Sequence, residues 1–172
     1  GNSCIQGDIG ISGDTIVAIG QLKGKTADKI IDAKGLLVSP GFIDMHTHSD
    51  RSLGNLGSNA NLNYLTQGVT TVVTGNCGSG PLKIAETKAK WEQQGIGSNA
   101  ILQVGHGTVR RQVSGAKPRA VTAEELEKMK MLVRNAMKEG AWGMSTGLQY
   151  IPGRYANTEE VIALAKVVAE FE

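Results

Sequence analysis

Short apolar runs broken by glycine and polar turn residues open the chain. Asp8-Ile-Gly-Ile-Ser-Gly-Asp-Thr-Ile-Val-Ala-Ile-Gly20 alternates β-branched residues with turn formers, the pattern of a hairpin. From Leu36 the texture changes to a recurring unit of apolar run, polar loop and helical period, the signature of βα connections. Four apolar runs, at 36–46, 69–76, 100–105 and 141–146, are predicted strands. Their near-continuous apolar character suits parallel strands covered on both faces. The best-defined helical pattern covers 123–138. Thr122 and Glu125 form a capping box at its start, Gly140 stops it, and Leu126, Met129, Val133, Ala136 and Met137 make a stripe that faces a sheet. A second helix is predicted from Asn157 or Thr158, with Glu159 and Glu160 in the favourable first turn and Val161, Leu164, Ala165 and Val168 on its apolar side.

A hairpin followed by βα units predicts an α/β fold: a small β-domain over 1–35 feeding part of a (β/α)8 TIM barrel over 36–172, about four βα units long. A closed barrel needs eight strands and roughly 250 residues, and four strands leave two open edges of unpaired backbone groups. The remaining half of the barrel is therefore expected from the full-length chain or a second polypeptide. The start at Gly1 and the stop at Phe171-Glu172, inside an apolar helical pattern without a cap, give the expectation that both ends are cut.

Composition narrows the function classes. A net charge of +2 and 4% aromatic residues argue against a nucleic-acid partner, which would need a basic surface or stacking platforms. No apolar run approaches the ~20 residues that span a bilayer, and no basic-then-apolar leader opens the sequence, so no membrane association is expected and a cytoplasmic location is the default. The 23 glycines forecast many tight turns. Cys4 and Cys77 are too few for a disulfide framework and are individual thiols.

Candidate chemistry gathers at the predicted strand ends. In Pro40-Gly-Phe-Ile-Asp-Met-His-Thr-His-Ser-Asp50, His46 and His48 stand two apart at the end of the first strand. Residues i and i+2 of a strand share a side, so both imidazoles would converge at the C-terminal mouth where barrel active sites lie. Neutral imidazole is a common zinc ligand; the alternative is a pair of loop histidines making ordinary hydrogen bonds. Asp44 and Asp50 could orient the imidazoles or cap turns. Thr74-Gly-Asn-Cys-Gly-Ser-Gly80 follows the second strand and brings Cys77 to the same mouth, as a zinc-binding thiolate or a buried structural thiol. Its glycines are no phosphate loop, because no Gly-Lys-Ser/Thr follows. His106, in Gly105-His-Gly107, could hydrogen-bond a substrate or a bound hydroxide, or serve structurally. Met144-Ser-Thr-Gly-Leu-Gln-Tyr-Ile-Pro-Gly153 offers Gln149, Tyr150 and Arg154 to a ligand or to loop packing. Cys4, Trp91 and Trp142 have no chemical context and are assigned to packing.

Taken together, the segments 41–50, 75–78, 105–107 and 143–153 resemble the D-aminoacylase (N-acyl-D-amino-acid deacylase) family of the amidohydrolase superfamily. The cysteine motif and the Ser-Thr-Gly-Leu segment carry the specificity of that match, since His-x-His alone would indicate only the superfamily. The resemblance implies a distorted TIM barrel with a small β-sandwich built from both chain ends, and a Zn2+ cofactor held by the cysteine and by histidines of later strands, with the His-x-His pair near a second metal position; this makes His46, His48 and Cys77 metal-site residues. Later histidine ligands and the catalytic aspartate are expected beyond Glu172, so no catalytic residue is named in this chain. Gln149 departs from the Leu-Glu-Tyr of many relatives, and a carboxamide supplies no anionic charge, so a mononuclear site is expected. The implied reaction is hydrolysis of a small-molecule N-acyl-D-amino acid, with His106 and Tyr150 as the substrate-binding donors. Competing readings are an amidohydrolase opening a cyclic amide, of dihydroorotase or hydantoinase type, and a catalytically incomplete structural half-barrel.

Overall fold

The computed structural model describes residues 4–171, in two compact units that divide between Ser39 and Pro40. The first unit holds an antiparallel hairpin, β1 (Asp8–Ser12) and β2 (Thr15–Gly20), with a bulge between Gly10 and Ile11. Gly13 takes a left-handed φ of 61° in the turn, a conformation that glycine adopts without steric cost. Ile11, Ile16, Val17 and Ile19 of the hairpin, and Ile30, Ile31, Leu36, Leu37 and Val38 after it, are exposed.

The second unit is mixed α/β. In chain order it contains β3 (Phe42–Asp44), α1 (Asp50–Leu53), α2 (Leu62–Leu65), β4 (Val69–Thr74), α3 (Ile84–Gln94), β5 (Asn99–Leu102), β6 (Val104–Gly105), α4 (His106–Ser114), α5 (Ala123–Lys138), β7 (Met144–Ser145) and α6 (Thr158–Val168). Strands β3, β4 and β5 form a parallel sheet in that order, and β6 pairs with β7, also parallel. The run at 100–105 is thus two strands, not one. Gln103, between them, donates its N–H to Thr74 O at 3.1 Å, and the next residue, Val104, donates to Gly143 O at 3.0 Å on the other side. The run at 36–46 forms a strand only over Phe42–Asp44, and the fourth run only over Met144–Ser145.

Helix α5 keeps its predicted bounds. Thr122 Oγ1 accepts from Glu125 N–H and Glu125 Oε2 accepts from Thr122 N–H, the reciprocal capping box. Arg119 adds two bonds to the same carboxylate, both at 2.8 Å. Met129, Val133 and Ala136 are fully buried, with Leu126 and Met137 packed beside them. On α6 the buried face is Glu160, Leu164 and Val167; Ala165 faces outward. Met129, Val133, Ala136, Leu164 and Val167 join Leu53, Val72, Ile84, Trp91, Leu102, Val104, Val109 and Ala141 in one core between sheet and helices. Trp91 packs as expected. Trp142 does not, being 76% exposed beside buried Ala141. Cys4 is also exposed. Among the described residues no helix is long and apolar enough to cross a membrane.

Candidate metal centre

Two turns build the site, one after each of two adjacent parallel strands. β3 ends at Asp44, so His46 and His48 stand in the loop beyond it rather than on the strand. They still converge, their ring centroids 5.7 Å apart and nearly perpendicular at 74°. The cause is Thr47 between them, which is buried and tied to β4: its N–H donates to Val73 O at 3.0 Å and its Oγ1 donates to the same oxygen at 2.9 Å. With Thr47 pinned inward, its two neighbours turn out to one side. Asp44 caps this turn by accepting His46 N–H at 3.0 Å, and Asp50 pairs with Thr74 Oγ1 at 2.9 Å, so their carboxylates serve the loops and not the imidazoles.

Cys77 occupies the turn after β4 with φ of 55°, in the left-handed region that a residue bearing Cβ enters at a cost. Flanking Gly75 and Gly78 also have positive φ, of 83° and 73°. The turn is pressed against neighbouring backbone: a Cβ on Gly80 would lie 2.0 Å from Gln103 O, and one on Gly147 would lie 2.1 Å from Cys77 O. The conformation puts Cys77 Sγ 3.4 Å from His46 Nε2. Ligand atoms of His46, His48 and Cys77 all lie within 4.8 Å of one another, with both histidines exposed and the cysteine half-buried.

The chemistry of that donor set suits zinc, and one of its pairs has the spacing of two ligands on one ion. Tetrahedral geometry with zinc–sulfur and zinc–nitrogen bonds of roughly 2.3 and 2.05 Å separates S from N by about 3.6 Å, close to the 3.4 Å between Cys77 Sγ and His46 Nε2. Two imidazoles and a thiol are also the soft and borderline ligands that this ion prefers.

Asn76, adjacent to Cys77 and 7% exposed, fastens the two turns together. Its Nδ2 donates to Thr47 O at 3.1 Å and to Val73 O at 3.0 Å. The sequence carried this residue without distinguishing it. Its position beside the candidate ligand was the available signal.

The other expected site residues divide. Tyr150 is exposed and its ring lies over Gly147, whose backbone packs on that of Cys77, so it flanks the cysteine turn. Gln149 and Arg154 are exposed on the same loop. His106, expected at an open mouth, is instead fully buried as the first residue of α4. Its Nε2 meets Glu160 Oε1 at 2.8 Å and its buried Nδ1 has no partner. The physical reason is Arg110, one turn further along α4 and also fully buried, which donates Nη1–H to Glu160 Oε2 at 2.8 Å and Nε–H to Pro152 O at 3.0 Å. A buried guanidinium demands a carboxylate, and the carboxylate that answers it takes His106 as well. Glu160 was expected only as first-turn helix charge, so this network was missed.

Residues 29–172 match the model of the amidohydrolase family. D-aminoacylase of Alcaligenes xylosoxydans xylosoxydans is 38% identical over 182 aligned positions, which cover 92% of this chain and 37% of that protein. A crystal structure of D-aminoacylase superposes with a TM-score of 0.88 at 36% identity, over 96% of this chain and 39% of the other. N-acyl-D-glutamate deacylase of Bordetella bronchiseptica, solved with zinc and a phosphonate mimic of the tetrahedral intermediate, gives 0.87 at 34% identity over 95% of this chain and 39% of that one. The chain therefore spans well under half the length of these relatives. A cluster of two imidazoles and a thiol beyond adjacent parallel strands, in a sequence matching the family's model over most of its length, establishes that this chain belongs to the amidohydrolase family.

Proposed function

We propose that the protein carrying this chain is a zinc-dependent hydrolase that cleaves the amide bond of N-acyl-D-amino acids, giving a carboxylate and a free D-amino acid. The observation that carries the reading is the convergence of His46, His48 and Cys77. A thiol in this place is what distinguishes the candidate site from one built on the histidine pair alone, and the deacylases named above support the substrate class.

In this reading His46, His48 and Cys77 hold the ion. Bound zinc supplies Lewis acidity, lowering the pKa of water and polarising the scissile carbonyl. Tyr150, exposed beside the cysteine turn, presents its hydroxyl to the substrate and donates to the oxygen on which charge develops. His106 faces Glu160 rather than the cluster and backs the loop that carries Tyr150. No carboxylate of the described residues joins the cluster, so the proton acceptor is an aspartate supplied from outside them, together with the further ligands. Gln149 offers no anionic charge to a second ion, which favours one metal.

The same reading assigns 36–172 to the first part of a (β/α)8 barrel and 1–35 to part of a small β-sandwich. Parallel strands that neighbour one another in chain order support the first assignment. So does the Trp142 N–H, which donates to Leu102 O at 3.0 Å and links the two sheets. Exposed Phe42 and Ile43 on β3 are apolar surface that the remaining strands would cover.

The test is hydrolysis by the intact zinc-loaded protein of N-acetyl-D-amino acids, their L-enantiomers and a cyclic ureide. Release of D-amino acid that exceeds both others, and that falls by 100-fold or more in a Cys77→Ser variant, is the expected result, at or beyond the upper end of what the surroundings of a metal ligand contribute. Preferential opening of the cyclic ureide would replace this reading with the other amidohydrolase chemistry.

A further inference from the structure

The Ser-Thr-Gly-Leu segment distinguishes this chain at the sequence level, yet neither Ser145 nor its neighbour Thr146 has a part in the proposed chemistry. Ser145 ends β7 and is 9% exposed. Its hydroxyl reaches across to the cysteine turn, where Oγ donates to Gly75 O at 2.5 Å and accepts from Gly78 N–H at 3.0 Å. These two partners bracket Asn76 and Cys77. One oxygen atom therefore closes a turn in which Gly75, Cys77 and Gly78 all hold positive φ.

We propose that Ser145 is a positioning residue for the metal site, a hydroxyl that holds Cys77 in its left-handed conformation and so aims Sγ at His46. The other hydrogen bonds of the turn make the case specific. The turn's own polar side chains point elsewhere: Asn76 to Thr47 O and Val73 O, and Ser79 Oγ to Asn76 O at 2.8 Å. Helix α4 holds only the far side, through Thr108 N–H to Gly78 O at 3.1 Å. Neither reaches Gly75, so Ser145 alone of these groups ties the two ends of the turn to each other. Without the hydroxyl, the Gly75 carbonyl and the Gly78 amide lose a partner in a buried place, and Cys77, which holds the one unfavourable φ among these residues, relaxes toward a commoner conformation.

The inference rests on the metal-site reading above, and the experiment separates the two. Intact protein is stripped of metal and titrated with zinc against a chromophoric chelator, and with cobalt(II) while thiolate-to-cobalt absorption is recorded. Wild type, Cys77→Ser, Ser145→Ala and Ser145→Thr are compared. Wild type is expected to show a thiolate band that Cys77→Ser abolishes. Absence of that band in wild type overturns the metal-site reading itself. Given the band, Ser145→Ala is expected to bind zinc about tenfold more weakly, the low end of losses caused by groups that orient ligands, with a weaker or shifted band. Ser145→Thr, which keeps the hydroxyl, stays within about threefold of wild type. Wild-type affinity and band in Ser145→Ala overturn the positioning role. Should Ser145→Ala fail to fold, Ser145→Thr decides: folded protein with wild-type zinc affinity supports the role, and folded protein that has lost zinc overturns it.

Discussion

Replacing Asn76 by aspartate exchanges one –NH2 group for an oxygen in a buried side chain of nearly the same size. No cavity forms, so the effect isolates hydrogen bonding. The carboxamide makes two bonds, to Thr47 O and Val73 O, and each contributes roughly 1 kcal/mol net. Val73 O keeps the bonds from Thr47 N–H and Oγ1, whereas Thr47 O loses this donor and adds part of a desolvation cost of ~1–3 kcal/mol. About 2–3 kcal/mol of stability should be lost at pH 7. With a urea dependence on the order of 2 kcal/mol per molar, the unfolding midpoint falls by roughly 1–1.5 M. The pH dependence has a definite sign. A carboxyl facing two carbonyl oxygens prefers its protonated form, so its pKa in the folded state rises above the ordinary ~3.9. A protonated carboxyl also returns one O–H donor. The deficit of Asn76→Asp against wild type is therefore smallest below the ordinary value and grows as pH rises through the raised one. Urea titrations of intact wild-type and variant protein at acid and neutral pH measure both quantities. Midpoints that agree within about 0.2 M at pH 7 would refute the idea that this amide fastens the histidine turn to the cysteine turn.

Other perturbations follow from the same structure. Glu160→Gln leaves the buried Arg110 guanidinium without its counter-charge, but three backbone carbonyls still accept from it. The loss should be about 3 kcal/mol, the lower end for breaking a buried pair, and an unchanged melting temperature would contradict it. Glu125 is held well below the usual carboxylate range, at about 2, first by the Arg119 guanidinium and then by the Thr122 amide. Its contribution is therefore present above its ordinary 4.5 and is lost as pH falls toward 2. In Glu125→Gln the difference from wild type should shrink over that interval in acid unfolding followed by circular dichroism. Met129→Ala empties a fully buried site on α5 and should cost about 2–5 kcal/mol in denaturant titrations; a cost under 1 kcal/mol would mean that α5 is not anchored in this core.

Legibility followed the range of the forces involved. The β1–β2 hairpin, strand β4 and helix α5 with its cap are set by neighbours a few positions apart, and sequence spacing exposes them. Helix α6 likewise starts where expected, at Thr158, with Asn157 Oδ1 accepting Glu160 N–H at 2.9 Å. The convergence of His46, His48 and Cys77 was also foreseen, though for a partly different reason. The two-residue period was attributed to a strand, and the structure produces it by pinning Thr47 to β4. What stayed hidden depends on distant partners. The run at 100–105 breaks at Gln103, and its second part pairs with a strand some 40 positions away, Val104 with Met144. Helix α4 begins at His106 between two glycines, poor helix formers, and its buried Arg110 finds Glu160 across 50 positions of sequence. Trp142 was assigned to packing on its residue type and is exposed instead.

The crowding around Gly80 and Gly147 has a consequence for how this segment tolerates change. At most positions of a protein a single methyl group is among the mildest alterations. Here the facing surface is main chain, which cannot rotate away as a side chain does, so the smallest substitution must shift whole strands. Gly80→Ala and Gly147→Ala should be as damaging as far bulkier replacements, and a mutational scan across this segment would register shape with little regard to polarity.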